Sequence, residues 1–101
     1  MKTIMLACAA GMSTSLLVTK MEKAAKEKNL EVEIFANPVS EIDQILKEKN
    51  IDCLLLGPQV SFMKNDLIKK MEKYNIPVET IDMATYGMMD GEKVLNQTLI
   101  N

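Results

Sequence analysis

The sequence predicts an α/β fold in which residues 1–101 form a single domain around an open four-stranded parallel sheet of order 2-1-3-4, with helices on both faces. Three observations predict it. Two short runs are apolar throughout, 3–7 (TIMLA) and 53–56 (CLLL), as suits strands covered on both faces in the middle of a parallel sheet. Two others alternate or carry proline, 31–36 (EVEIFA) and 76–81 (IPVETI), as suits edge strands. Between these runs, apolar residues recur at helical spacing.

The elements follow in chain order. After the first strand, Leu17, Met21, Ala24 and Ala25 form a helical stripe, with Ser13 or Thr14 as N-cap and Asn29 at the end. In the second strand, Val32, Ile34 and Ala36 share one face, and Glu31 and Glu33 the other. Ser40 is the expected N-cap of a second helix that turns Ile42, Ile45 and Leu46 inward. Gly57-Pro58 ends the third strand, and Val60, Met63, Leu67, Met71 and Tyr74 align along a third helix. Pro77 marks the fourth strand as an edge, and a last helix follows Asp90-Gly91, with Val94, Leu95 and Leu99 apolar.

Composition narrows the chemistry. With 48% hydrophobic residues, a formal charge of −2 and no basic run, the chain reads as an ordinary soluble domain with no nucleic-acid surface. The apolar runs are too short to cross a bilayer and no signal peptide is evident, so a cytoplasmic location is expected. Two cysteines without a C-x-x-C partner fit a reducing compartment. All 12 basic residues are lysine; there is no histidine and no arginine. A histidine base or metal ligand, a Ser-His-Asp triad and a guanidinium clamp are thereby excluded from this chain, and neither a metal nor a cofactor is expected.

In the order 2-1-3-4 the direction of winding reverses between strands one and three, and open α/β sheets bind ligands at that reversal, beyond the carboxyl ends of the strands. Cys8 is the first residue past strand one. The loop Ala9, Ala10, Gly11, Met12, Ser13, Thr14 and Ser15 has the parts of an anion cradle: small residues, three hydroxyls and a helix start whose free N–H groups favour negative charge. Gly57, Pro58 and Gln59 form the facing loop. Cys53, inside an apolar run, reads as inert core. Met12, Met63, Met88 and Met89 could form an adaptable apolar rim around Cys8.

The stretch 3–17 (TIMLACAAGMSTSLL) resembles the start of the enzyme IIB components of the bacterial phosphotransferase system, lactose/cellobiose class. Leu54-Leu55-Leu56-Gly57-Pro58-Gln59 and Tyr86-Gly87-Met88-Met89-Asp90-Gly91 resemble later motifs of that family in the same order. The resemblance implies a phosphoryl carrier. Cys8 would take a phosphoryl group from a phosphohistidine on a IIA protein and pass it to a sugar in the membrane IIC permease. The sugar would be a β-glucoside disaccharide such as cellobiose, chitobiose or lactose, and the carrier would visit the inner face of the membrane. Cradle residues 9–15 would hold the phosphate, with Gly57, Pro58, Gln59 and Tyr86 in possible secondary roles. Low-molecular-weight tyrosine phosphatases share this architecture but place an arginine where this chain has Thr14, and no acid for a leaving group is evident. A cysteine-dependent phosphatase and a non-catalytic regulatory module remain the alternatives.

Overall fold

The computed structural model describes residues 2–9 and 12–100; the side chains of Met12, Ser13, Leu99 and Ile100 lie outside the described set. Eleven elements follow one another. These are β1 (Lys2–Cys8), α1 (Met12–Glu27), β2 (Val32–Pro38), a 3-10 turn (Val39–Glu41), α2 (Ile42–Glu48), β3 (Cys53–Leu56), a second 3-10 turn (Pro58–Met63), α3 (Lys64–Glu72), β4 (Val78–Thr80), α4 (Met83–Gly87) and α5 (Gly91–Ile100). The four strands pair in the order β2-β1-β3-β4, all parallel.

The central strands are apolar from Ile4 to Cys8 in β1 and throughout β3 because each face has its own core. Successive side chains of a strand point to opposite faces. Ile4 and Leu6 of β1, with Cys53 and Leu55 of β3, pack against Leu17, Met21, Val94 and Leu95 of α1 and α5. Met5 and Ala7, with Leu54 and Leu56, pack against Ile42, Ile45, Leu67 and Met71 of α2 and α3. Helices therefore cover both faces. Ile4, Met5, Leu6, Leu55 and Leu56 have no exposed surface, and each such large side chain contributes about 1.5–3 kcal/mol. In β2, Ile34 is buried with Val32 and Ala36 packed beside it, the face that the alternation predicts.

Three helix ends are closed by a residue in the left-handed region: Asn29 (φ 57), Asn75 (φ 57) and Met89 (φ 52). At each, the following N–H reaches back to a carbonyl of the last turn: Leu30 to Ala25 at 2.9 Å, Ile76 to Met71 at 3.3 Å and Asp90 to Thr85 at 3.1 Å. Asparagine tolerates this conformation; at Met89 it costs on the order of 1 kcal/mol. Gly91 meets a different demand. A Cβ there would lie 2.4 Å from the Lys20 carbonyl carbon and 2.5 Å from the Met21 nitrogen, so only glycine lets α5 start against the backbone of α1.

Several sequence expectations are corrected. α1 already begins at Met12, so Ser13 and Thr14 lie in its first turn rather than at its cap. Ser40 sits inside the 3-10 turn, and Glu41 precedes α2 without a side-chain cap bond. The third helical stripe is broken. Val60 has φ −117° and ψ 17° within the second 3-10 turn, α3 ends at Glu72, and Tyr74 lies beyond it, half exposed. The fourth strand shortens to Val78–Thr80 because Pro77 has no N–H to give a ladder. One helix was missed. α4 has five residues, too few for a period, although Asp82 caps it by accepting from the N–H groups of Ala84 and Thr85, both at 3.1 Å.

Candidate functional site

The winding reversal puts the ends of β1 and β3 side by side. Ala7 pairs with Leu56, and the Gly57 N–H donates to the Ala7 carbonyl at 2.9 Å, so the chain leaving β3 stays fastened to β1. Cys8 is the last residue of β1, paired on its other side with Pro38, and its surface is only 4% exposed. The thiol has one described side-chain partner. The Thr14 hydroxyl, fully buried, donates to Cys8 Sγ at 3.3 Å.

Helical geometry separates Thr14 from Ser15, the two described hydroxyls at the start of α1. Thr14 lies three residues before Leu17 and seven before Met21, on the stripe that faces the sheet, whereas Ser15 points outward and is exposed. That i, i+3, i+7 spacing was present in the sequence and could have ranked Thr14 above its neighbours. α1 runs 16 residues from the site and carries no acidic side chain in its first turn, so the positive end of its dipole meets no internal counter-charge there. Ala9 is exposed. Ala10 and Gly11 lie outside the described residues, as do the side chains of Met12 and Ser13.

The facing loop comes close. Gly57 is buried, and a Cβ built on it would stand 3.9 Å from Cys8 Cβ, 3.6 Å from the Ala7 carbonyl oxygen and 2.8 Å from Gln59 Oε1. Pro58 opens the 3-10 turn and Gln59 is exposed on it. Tyr86 of α4 is buried in the core on the α1 and α5 side. The structure thus gathers Cys8, Thr14 and Gly57, sets Gln59 over Gly57, and gives Tyr86 a packing position. Of the methionines expected to form a rim, Met63 packs on the α2 and α3 side of the sheet, Met89 packs on the opposite side, Met88 is 78% exposed, and the side chain of Met12 lies outside the described residues. The sheet between them keeps Met63 and Met89 apart.

Cys53, the second free cysteine, is likewise buried but stands inside the sheet rather than at its carboxyl edge. It lies at the start of β3, 1% exposed, and burial pushes its thiol up to about 11. No group of three potential metal ligands occurs among the described residues, and no described helix is long and apolar enough to cross a membrane. A cleft of about 300 Å³ lined by Leu46, Asp52, Tyr74 and Ile76 lies at the amino ends of the strands, away from Cys8.

A nearly buried thiol at the switch point, met by a helix start, is an arrangement that can be compared with known proteins. The family model for the lactose/cellobiose-specific IIB subunit of the phosphotransferase system matches residues 3–97. The chain belongs to that family. It is 55% identical over 97 residues to the galactose-specific EIIB component of Lactococcus lactis subsp. cremoris (strain MG1363), covering 93% of this chain and 90% of that protein. Identity to the cellobiose-specific EIIB component of Lactococcus lactis subsp. lactis (strain IL1403) is 54%, with the same coverage. The solution structure of the cellobiose-specific IIB component from Borrelia burgdorferi superposes with a TM-score of 0.78 at 39% identity, over 98% of this chain and 89% of that one. As a phosphotransferase-system IIB component, the chain is a phosphotransferase of sugar uptake, a class that works with IIA and membrane IIC components.

Proposed function

We propose that this IIB chain carries the phosphoryl group on Cys8, receiving it from a phosphohistidine of a IIA protein and giving it to a sugar hydroxyl at the IIC permease. The observation that carries this reading is the contact between two buried groups at the switch point: Thr14 Oγ1 donating to Cys8 Sγ at 3.3 Å. A cysteine packed only as core would have no need of a hydroxyl aimed at its sulfur.

The steps balance without any further reagent. Sγ attacks phosphorus as the P–N bond of the phosphohistidine breaks, and the proton of the thiol ends on the released imidazole. In the second step a sugar hydroxyl oxygen attacks phosphorus, the S–P bond breaks, and the hydroxyl proton restores the thiol. Thr14 stands where it can donate to the thiolate that forms as the S–P bond opens. The backbone N–H groups at the start of α1 and the hydroxyls of Ser13 and Ser15 belong to the proposed cradle for the phosphoryl oxygens.

The absence of arginine fits a carrier rather than a hydrolase. Without a guanidinium on the equatorial oxygens, water attack on the phosphothiol is poorly supported, and the group survives until a partner takes it. The sugar we propose is a β-linked disaccharide of the cellobiose or lactose type, in keeping with the family's description. The working place is the cytoplasm, with visits to the inner membrane face. Incubation with a phosphorylated IIA protein tests the reading. A phosphothiol on Cys8, stable to base and cleaved by iodine, is expected; phosphate retained by a Cys8→Ser variant overturns it.

A further inference from the structure

We propose that Gln59 is a catalytic residue of this transfer, its carboxamide donating to a non-bridging oxygen of the phosphoryl group on Cys8. The inference rests on the reading of Cys8 as the phosphoryl carrier and assigns a role to a residue on the opposite side of the switch point.

Gln59 is exposed and has water to point into, yet its side chain folds back over Gly57. Its Oε1 lies 2.8 Å from the place a Gly57 Cβ would occupy, and that place is 3.9 Å from Cys8 Cβ. The two distances together put the carboxamide oxygen, Oε1, no more than 6.7 Å from Cys8 Cβ. The C–S, S–P and P–O bonds of a phosphothiol followed by one hydrogen bond of about 2.9 Å span that gap. Glycine at 57 is what leaves the room, since a methyl group there would displace the carboxamide.

The carboxamide is unclaimed: Gln59 has no hydrogen bond to any described residue. Its backbone, by contrast, is well held. Pro58 fixes one side of the turn, Val60 on the other is buried, and the Val60 N–H donates to the Gly57 carbonyl at 3.0 Å. An idle donor on a rigid turn next to the thiol is suited to a ligand that offers only acceptors. A phosphothiol does so, and rotation of the carboxamide turns its N–H groups toward it. Gripped by α1 from one side and Gln59 from the other, the phosphorus is held in line for the incoming sugar hydroxyl. Being neutral, Gln59 orients the group without the charge that would assist water.

The test uses the full chain, nitrogen-15 labelled and phosphorylated on Cys8 by a phosphorylated IIA protein. The side-chain amide signals of Gln59 should shift and exchange more slowly with water on phosphorylation, while those of Gln44, on the exposed face of α2, stay in place. Gln59→Leu should slow phosphoryl transfer in both directions roughly tenfold with an unchanged circular dichroism spectrum, the loss of one hydrogen bond to a charged group. Gly57→Ala, which keeps the glutamine but moves it, should slow transfer in the same sense. Unmoved Gln59 amide signals on a fully phosphorylated Cys8, or full transfer rates in Gln59→Leu, overturn this proposal and leave the Cys8 reading standing. Failure to form any phosphothiol on Cys8 overturns both.

Discussion

Raising the pH should destabilise this protein through Cys53, a residue outside the proposed site. Burial raises its thiol from an ordinary 9.0 to about 11. Lys2 opposes the shift and Glu79 and Asp52 add to it, but desolvation is the largest cause. The sign follows from linkage. The folded state keeps its proton while the unfolded chain has lost it, so the stabilisation is complete below pH 9 and is lost as pH rises through 11. Two pH units at about 1.36 kcal/mol each give a loss on the order of 2–3 kcal/mol. That is a large share of the roughly 5–15 kcal/mol by which such domains are stable. Other groups also titrate in this window, so the assay is a difference. Urea unfolding of the natural chain and of Cys53→Ala is measured at pH 8 and pH 11. Cys53→Ala starts less stable, because a buried sulfur is lost from the α1 and α5 core, but should lose about 2–3 kcal/mol less on going to high pH. Equal losses in the two proteins would refute the claim that a buried neutral thiol sets the alkaline limit.

Four further outcomes are expected. Cys8→Ser should abolish phosphoryl acceptance, measured by mass spectrometry after exposure to a phosphorylated IIA protein, while its thermal unfolding stays close to that of the natural chain. Thr14→Val should slow release of the phosphoryl group to sugar about 10²-fold, and Thr14→Ser should restore most of it, a pattern that a purely steric role for the threonine would not produce. Gly91→Ala should destabilise by about 1–3 kcal/mol in urea, since its methyl group meets the backbone of α1 rather than a side chain that can move aside. Asp82→Ala should cost about 1 kcal/mol by removing the cap of α4, with phosphotransfer unaffected.

The residues differ in how openly they announce their places. β1 and β3 were legible because strands buried on both faces need an unbroken apolar run, and Cys53–Leu56 is apolar from end to end. The order 2-1-3-4 followed from which runs were continuous and which alternated, and that order put Cys8 at the winding reversal. Helix starts were harder to read. Ser40 has the chemistry of a cap, yet the chain turns through a 3-10 segment before α2 and leaves it inside. Val60 and Met63 keep helical spacing because they too must face the core, although the backbone between them is not α-helical. Thr14 could have been ranked above Ser15 by its helical spacing from Leu17 and Met21, a signal that the run of hydroxyls alone does not carry. Gln59 was marked in the sequence by its place in the facing loop and on a motif, but what its carboxamide does there depends on the chain folding it back over a glycine.

The register of the sheet also bears on oxidation. Cys53 stands opposite Ile4, and Cys8 lies four residues farther along the same strand as Ile4. At about 3.3 Å per residue the two cysteines are separated by roughly 13 Å along a sheet that is fixed on both faces. A disulfide needs Cα atoms within about 7 Å, so Cys8 and Cys53 cannot join to one another within this fold. A sulfenic acid formed on Cys8 would therefore find no resolving thiol in this chain and would have to meet one from outside, such as glutathione or another protein, before it oxidised further. On the proposed role of Cys8, its reactivation would depend on the reducing capacity of the cell rather than on any exchange within the fold, and sugar phosphorylation through the proposed carrier would be tied to the supply of small thiols.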